Sequence, residues 1–392
     1  MIDYNKVVSK VASDMKPSGI RKFFDIASEL EGVISLGVGE PDFLTPWSIR
    51  RAAITALEKG KTVYTSNAGL LELRKSLSKY IEKRTKQTYD PQHEIVVTVG
   101  GSEAIDLGVR ALIEPGDEVL IVEPSFVCYA PIVSLMGGVP VHVETKLEDN
   151  FKLTPEALKE KITDKTKLLI LPFPNNPTGA VMRKSDLEAI AEVLRDTNIV
   201  ILSDEIYSEL TYGEKHTSIV EIEGMKERTI LINGFSKAFA MTGWRLGYLA
   251  GPREIVQHIL KIHQYAIMCS PTVSQYAGIE AIENCEEDVK HMVKEYDIRR
   301  RFLVDKFNKL GLKCFNPEGA FYVFPSIKST GLTSEEFCEK LIFDKKIAVV
   351  PGNAFGACGE GFIRVSYAYS LSHLKEALER IEEFLEELNI NK

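Results

Sequence analysis

No run of this chain approaches the roughly 18 consecutive apolar residues that cross a bilayer, so no membrane-spanning helix is expected. The opening MIDYNKVVSKVASDMK is too polar for a secretory signal, and the cytoplasm is the expected compartment. Cysteine is sparse. Cys128, Cys269, Cys285, Cys314, Cys338 and Cys358 form no Cys-x-x-Cys pair, which argues against a zinc framework or a disulfide scaffold and for reduced thiols. The seven histidines are equally scattered, with no His-Glu-x-x-His helix, and no metal site is expected. Basic residues are not in excess: 48 Lys and Arg stand against 56 Asp and Glu. The net charge of −8 disfavours general affinity for nucleic acid or anionic membranes. The strand–glycine–helix stretch VTVGGSEAIDLGVRAL contains neither Gly-x-Gly-x-x-Gly nor Gly-Lys-Ser/Thr, which weakens dinucleotide and P-loop nucleotide sites. Repeats, low-complexity stretches and Ser- or Pro-rich linkers are also missing, so domain boundaries must come from element patterns.

What is present is an ordinary globular composition, 44% apolar and 27% charged over 392 residues, enough for two compact domains of about 100 to 200 residues. Short β-branched runs at 94–99, 117–122, 167–173, 198–204, 228–234 and 245–251 are mostly separated by helix-like segments. Runs such as LLILPF are apolar at nearly every position, as expected of strands covered on both faces and therefore mainly parallel. The pattern predicts an α/β domain over 46–284. A long charged amphipathic helix then covers 286–311 and opens a smaller α+β domain over 285–392. That domain has strands expected at 319–327, 346–352 and 361–368 and helices at 334–343 and 371–388, and residues 1–45 form an N-terminal arm that completes it.

Four segments carry candidate chemistry. In NGFSKAFAMTGWRLGY a strand-like run delivers Lys237 among small residues, with Arg245 eight positions on. A lysine held out of water, or near another cation, has a lowered pKa and can attack a carbonyl as the free amine. A solvated lysine at a strand end is the competing explanation. In NIVILSDEIYSEL, Asp204 ends a buried strand and Tyr207 lies on the turn that follows. Ligands of open α/β sheets bind outside the carboxyl ends of strands, so Asp204 points to a cationic ligand group such as a protonated pyridine, although a helix N-cap accounts for it too. PFPNNPTGAV places Asn176 in a turn that is either purely structural or a hydrogen-bond donor to a phenolate. In VTVGGSEAIDLGVRAL, a strand, a glycine pair and a helix aim the N–H groups of Gly101, Ser102 and Glu103 at a phosphate, unless Ser102 is simply an N-cap.

In this order and on these motifs, Asn176, Asp204, Tyr207, Lys237 and Arg245 resemble the class I/II aminotransferases of the fold type I pyridoxal-phosphate enzymes. The wording is closest to the subgroup of aspartate, aromatic and N-acetyl-diaminopimelate aminotransferases. The resemblance spans nearly the whole chain, from SGIRKFFDIASE and ISLGVGEPDF to PEGAFYVF, VVPGNAFG and FIRVSYA. It implies a large domain with a mainly parallel seven-stranded sheet between helices. Pyridoxal 5'-phosphate would be held as a Schiff base on Lys237, with Asp204 on the pyridine nitrogen and Asn176 and Tyr207 on the phenolic oxygen. Arg245 and Ser236 would reach the phosphate, and Phe126 would stack on the ring. Tyr64 would be lent to the neighbouring subunit's phosphate in a homodimer. Arg364 would grip the substrate α-carboxylate through a planar fork, and Gly39 would lie in a loop that closes over substrate. Without the family pattern, Phe126 and Tyr64 read as core aromatics and Arg364 as a salt-bridged arginine. One departure is Gly234, where many relatives carry a phosphate-binding serine.

The implied reaction moves an amino group from an L-amino acid to a 2-oxo acid in two half-reactions, with Lys237 as the base at Cα. A carbon–sulfur β-lyase would share every cofactor residue and differ in what leaves the substrate. A cofactor-binding regulator of DNA is the remaining alternative. The first motif begins 18 residues into the chain, which leaves no room for a DNA-binding module before it, and the acidic charge does not favour one. Aspartate or glutamate and the aromatic amino acids are the expected substrates. An acidic side chain calls for a second cation and an aromatic one for an apolar cleft, and Ile20, Phe24 and Gly39 lie in the arm and loop expected to border the side-chain pocket.

Overall fold

The computed structural model describes residues 2–17 and 19–388. After a short first strand, β1 (Ile34–Ser35), seven strands form one sheet: β2 (Ile95–Thr98), β3 (Glu118–Glu123), β4 (Val139–Glu144), β5 (Thr166–Leu171), β6 (Val200–Asp204), β7 (Thr229–Gly234) and β8 (Gly247–Ala250). Their order is β2-β8-β7-β6-β5-β3-β4. Every pairing is parallel except those of β8, which runs antiparallel to both β2 and β7. β4 was not among the expected strands. Its sequence, VPVHVE, is interrupted by Pro140 and His142 and is largely exposed, as an edge strand tolerates.

The continuous apolar strands follow from a core on both faces. Alternate residues separate: Val96, Val119, Leu202 and Ile232 pack in one buried cluster, whereas Val97, Leu120, Ile201 and Leu231 pack in the other. Truncating one of these, such as Leu202 to alanine, costs about 2 to 5 kcal/mol. Gly108, on the helix Gly101–Leu112, lets that helix settle onto β6, since a Cβ there would lie 2.9 Å from Leu202 Cδ2.

The remaining strands are short: β9 (Tyr322–Val323), β10 (Ile347–Ala348), β11 (Val350–Pro351) and β12 (Ile363–Ser366). β11, β12 and β9 form an antiparallel sheet, and β1 pairs in parallel with β10, which ties the N-terminal arm to the C-terminal segment. The run expected as a strand over 319–327 is strand only at its centre. Its first residues turn away because the N–H groups of Glu318 and Gly319 bond to Gly179 O, clamping this loop onto the NNPTG turn. The connecting helix spans Glu286–Lys309, and helices Ser334–Lys345 and Leu371–Glu387 lie close to their expected positions. Among the described residues, no helix is long and apolar enough to cross a membrane.

Candidate active site

The carboxyl ends of β2, β3, β5, β6 and β7 open onto a cavity of about 610 Å³. The segment that ends in β12 supplies the far wall through Tyr322 and Arg364. This is where a doubly wound sheet offers its ligand crevice. Asn176, Asp204, Tyr207, Ser236, Lys237 and Arg245 all line it, as do Gly39, Gly101, Ser102, Phe126 and Ile20. Phe24's side chain lies outside the described residues.

Lys237 sits three residues beyond β7, and its Nζ donates to the carbonyl of Gly39 in the arm loop. Burial lowers its pKa from 10.5 to about 8, helped by the charges of Arg364 and Arg245 and opposed by those of Glu40 and Asp204. A solvated strand-end lysine would show no such displacement. At the departure noted above, Gly234 is tightly packed, with Leu246 O 3.2 Å from where a Cβ would sit.

Asp204 ends β6 with only 7% of its surface exposed. No helix follows, so it is not an N-cap; its carboxylate accepts from Tyr129 Oη at 2.8 Å and from the N–H of Ile206 at 3.2 Å. Burial raises its pKa, and the two hydrogen bonds only partly oppose this. Such a group gains from a cationic partner delivered into the cavity. Beside it, Tyr207 Oη shares a hydrogen bond of 2.8 Å with Tyr322 Oη.

Arg364, on β12, is buried between the rings of Tyr322 and Phe355, with its guanidinium carbon 4.5 and 4.8 Å from their centroids. Nη1 donates to Asn176 Oδ1 at 2.9 Å and Nη2 to Gly37 O, while Nε is buried without a partner. A fixed, sandwiched fork with an unused donor is suited to a carboxylate. With its oxygen committed to Arg364, Asn176 has its amide nitrogen left as the donor end.

At the opposite end, the helix Gly101–Leu112 is capped by Gly100 at φ 80°, with no side-chain cap, so Ser102 is not the N-cap. Its first N–H groups are free for an anion. Arg245 holds a left-handed φ of 50°, and its Nη2 lies 2.6 Å from where a Gly100 Cβ would be. The guanidinium can approach only because residue 100 has no side chain. Gly247 is similarly required, since its Cβ would fall 2.5 Å from the Gly100 carbonyl carbon.

Two expected residues stand apart. Glu103 does not line the cavity; its carboxylate turns back to Val99 N–H and to His263. Tyr64 is 79% exposed and absent from this cavity. Conversely, Tyr129, Tyr322 and Glu40 line the site without having been singled out. Tyr129 lies three residues after Phe126 and Tyr322 lies inside the FYVF motif, so both were within recognised segments.

A shielded lysine with a lowered pKa, a buried carboxylate and an uncapped helix start suit an enzyme that works on amines through a carbonyl cofactor. The family model for aminotransferase class I and II matches residues 31–381. The chain is 48% identical over 376 residues to an aspartate aminotransferase of Pyrococcus abyssi, covering 95% of this chain and 97% of the relative. It is 47% identical to aromatic-amino-acid aminotransferase 2 of Thermococcus litoralis, with the same coverage. The crystal structure of an aromatic aminotransferase from Pyrococcus horikoshii superposes with a TM-score of 0.90 at 46% identity, covering 94% of this chain and all of that one. The chain belongs to the class I and II aminotransferases. It is a pyridoxal-phosphate-dependent enzyme of fold type I. The residues present fit that cofactor: an uncapped helix start and Arg245 suit its phosphate, Asp204 its pyridinium, and Lys237 its aldehyde.

Proposed function

We propose that Lys237 binds the cofactor covalently and that its amine, once displaced by substrate, carries the proton at Cα. When bound, pyridoxal phosphate supplies an electron sink for the bond that breaks. Asp204, fixed by Tyr129, keeps the pyridine nitrogen protonated, and Asn176 and Tyr207 hold the phenolic oxygen. Gly101, Ser102, Ser236 and Arg245 hold the phosphate, and Phe126 covers the ring. Arg364 orients the α-carboxylate so that the Cα–H faces Lys237. Gly39, whose carbonyl accepts from Lys237, marks the loop that closes over substrate. A second copy completes each site through its Tyr64, a role supported by that side chain's exposure beside the equally exposed Val63. Free thiols at all six cysteines are compatible with a cytoplasmic home.

For the amino donor, the choice between acidic and aromatic side chains turns on charge. The cations lining the cavity are Lys237, Arg245 and Arg364, and each has a role above, while Glu40 adds a carboxylate. The remaining wall includes Ile20, Val38, Ile105 and Phe126. This apolar wall, with Glu40 disfavouring a second carboxylate, makes aromatic donors the better match. Steady-state rates with phenylalanine, tyrosine, aspartate and glutamate, each with a fixed 2-oxo acid, test this. Higher kcat/KM for the aromatic pair is expected, and a preference for aspartate would overturn it.

A further inference from the structure

A buried ionisable pair at the helix Gly101–Leu112 has no role in the scheme above. His263, on the helix Arg253–Ala266, has no solvent exposure, and its Nδ1 lies 2.7 Å from Glu103 Oε1. Glu103 Oε2 accepts from the N–H of Val99, just before the glycine pair. Glu103 is the third residue of the helix whose free N–H groups face the cavity. At that position a carboxylate ordinarily bends back onto its own helix start, which attracts any anion within reach.

We propose that His263 is a positioning residue for the phosphate end of the site, pinning the Glu103 carboxylate on the N–H of Val99 and off the N–H groups of Gly101 and Ser102, which stay open to the cofactor phosphate. The nearest competitor for those donors is the chain's own carboxylate, on the same first turn. His263 and Val99 N–H together occupy both of its oxygens and remove that competitor. The same contacts tie the β2 turn to the helix beneath it, fixing the cup's shape. His263 Nε2 has no partner, so the ring's hydrogen bonding is spent on Glu103 alone.

The inference rests on the cofactor assignment above, and the test separates the two. Apoenzyme is titrated with pyridoxal phosphate and, separately, with pyridoxal, which lacks the phosphate. His263→Phe should weaken pyridoxal phosphate binding roughly tenfold or more, as loss of a supporting partner does at other bound groups, and leave pyridoxal binding unchanged. His263→Gln keeps an amide donor and should hold near wild-type affinity. Adding Glu103→Gln to His263→Phe should restore pyridoxal phosphate binding, because a neutral amide no longer competes with the phosphate. Glu103→Asp, too short to reach both partners, leaves the core ring in place and should show the same phosphate-selective loss even if His263→Phe does not fold. Equal losses for both ligands, or no rescue by Glu103→Gln, would show a merely structural histidine. Wild-type protein that binds neither ligand would overturn the cofactor assignment itself, and this inference with it.

Discussion

Burial of Lys237 makes a quantitative demand on cofactor capture. Only the free amine attacks the aldehyde, and burial brings the lysine from 10.5 to about 8. At neutral pH that difference provides about 300-fold more free amine than an exposed lysine has. The capture rate of apoenzyme should therefore climb tenfold per pH unit below about 8 and level off above it. The sign follows from the cause: a charged ammonium is disfavoured in the cavity, so protonation is lost at a lower pH than in water. Glu40 is the strongest of the influences holding the proton on, so Glu40→Gln should move the midpoint lower. Stopped-flow absorbance of apoenzyme mixed with excess pyridoxal phosphate reads both curves. A midpoint near that of an exposed lysine, or an upward move in Glu40→Gln, would refute the assignment of a desolvated amine.

Other perturbations have equally definite outcomes. Arg364→Lys loses the planar fork between Tyr322 and Phe355, and kcat/KM should fall roughly 100-fold while the absorbance of bound cofactor is unchanged. Tyr129→Phe removes a hydrogen bond to the Asp204 carboxylate worth about 2 kcal/mol, so kcat should drop roughly 30-fold, measured under saturating donor. Gly179→Ala should destabilise the fold by about 2 kcal/mol or more in denaturant titration, because Gly179 has φ 70° and a Cβ there would lie 2.4 Å from Pro317 Cβ. If Tyr64 acts across the dimer, mixing impaired Tyr64→Phe with inactive Lys237→Ala protein should regenerate one complete site per hybrid and raise activity above that of either parent.

The large sheet was readable because strands buried on both faces leave unbroken apolar runs, and β5, β6 and β7 fell where such runs lie. β4 escaped because an edge strand needs no such run, and Pro140 and His142 disguised it. The 319–327 run looked like a longer strand than it is, since its departure from strand geometry is imposed by Gly179, far away in sequence. Within the site, residues on strand ends could be inferred individually: Lys237 and Asp204 sit directly after or at the end of their strands. Arg364 was different. Its burial, its aromatic sandwich and its bond to Asn176 are products of tertiary packing, and only the resemblance pointed to it. Tyr322 and His263 act through partners more than 100 residues away, a relation that no local pattern encodes.

The most direct measurement is borohydride reduction of the cofactor-loaded enzyme followed by digestion and peptide mass mapping. The account predicts that the added pyridoxyl mass lies on the peptide containing Lys237 and nowhere else, and that Lys237→Ala takes up no label. Label on a different lysine, or unchanged labelling in Lys237→Ala, would contradict it.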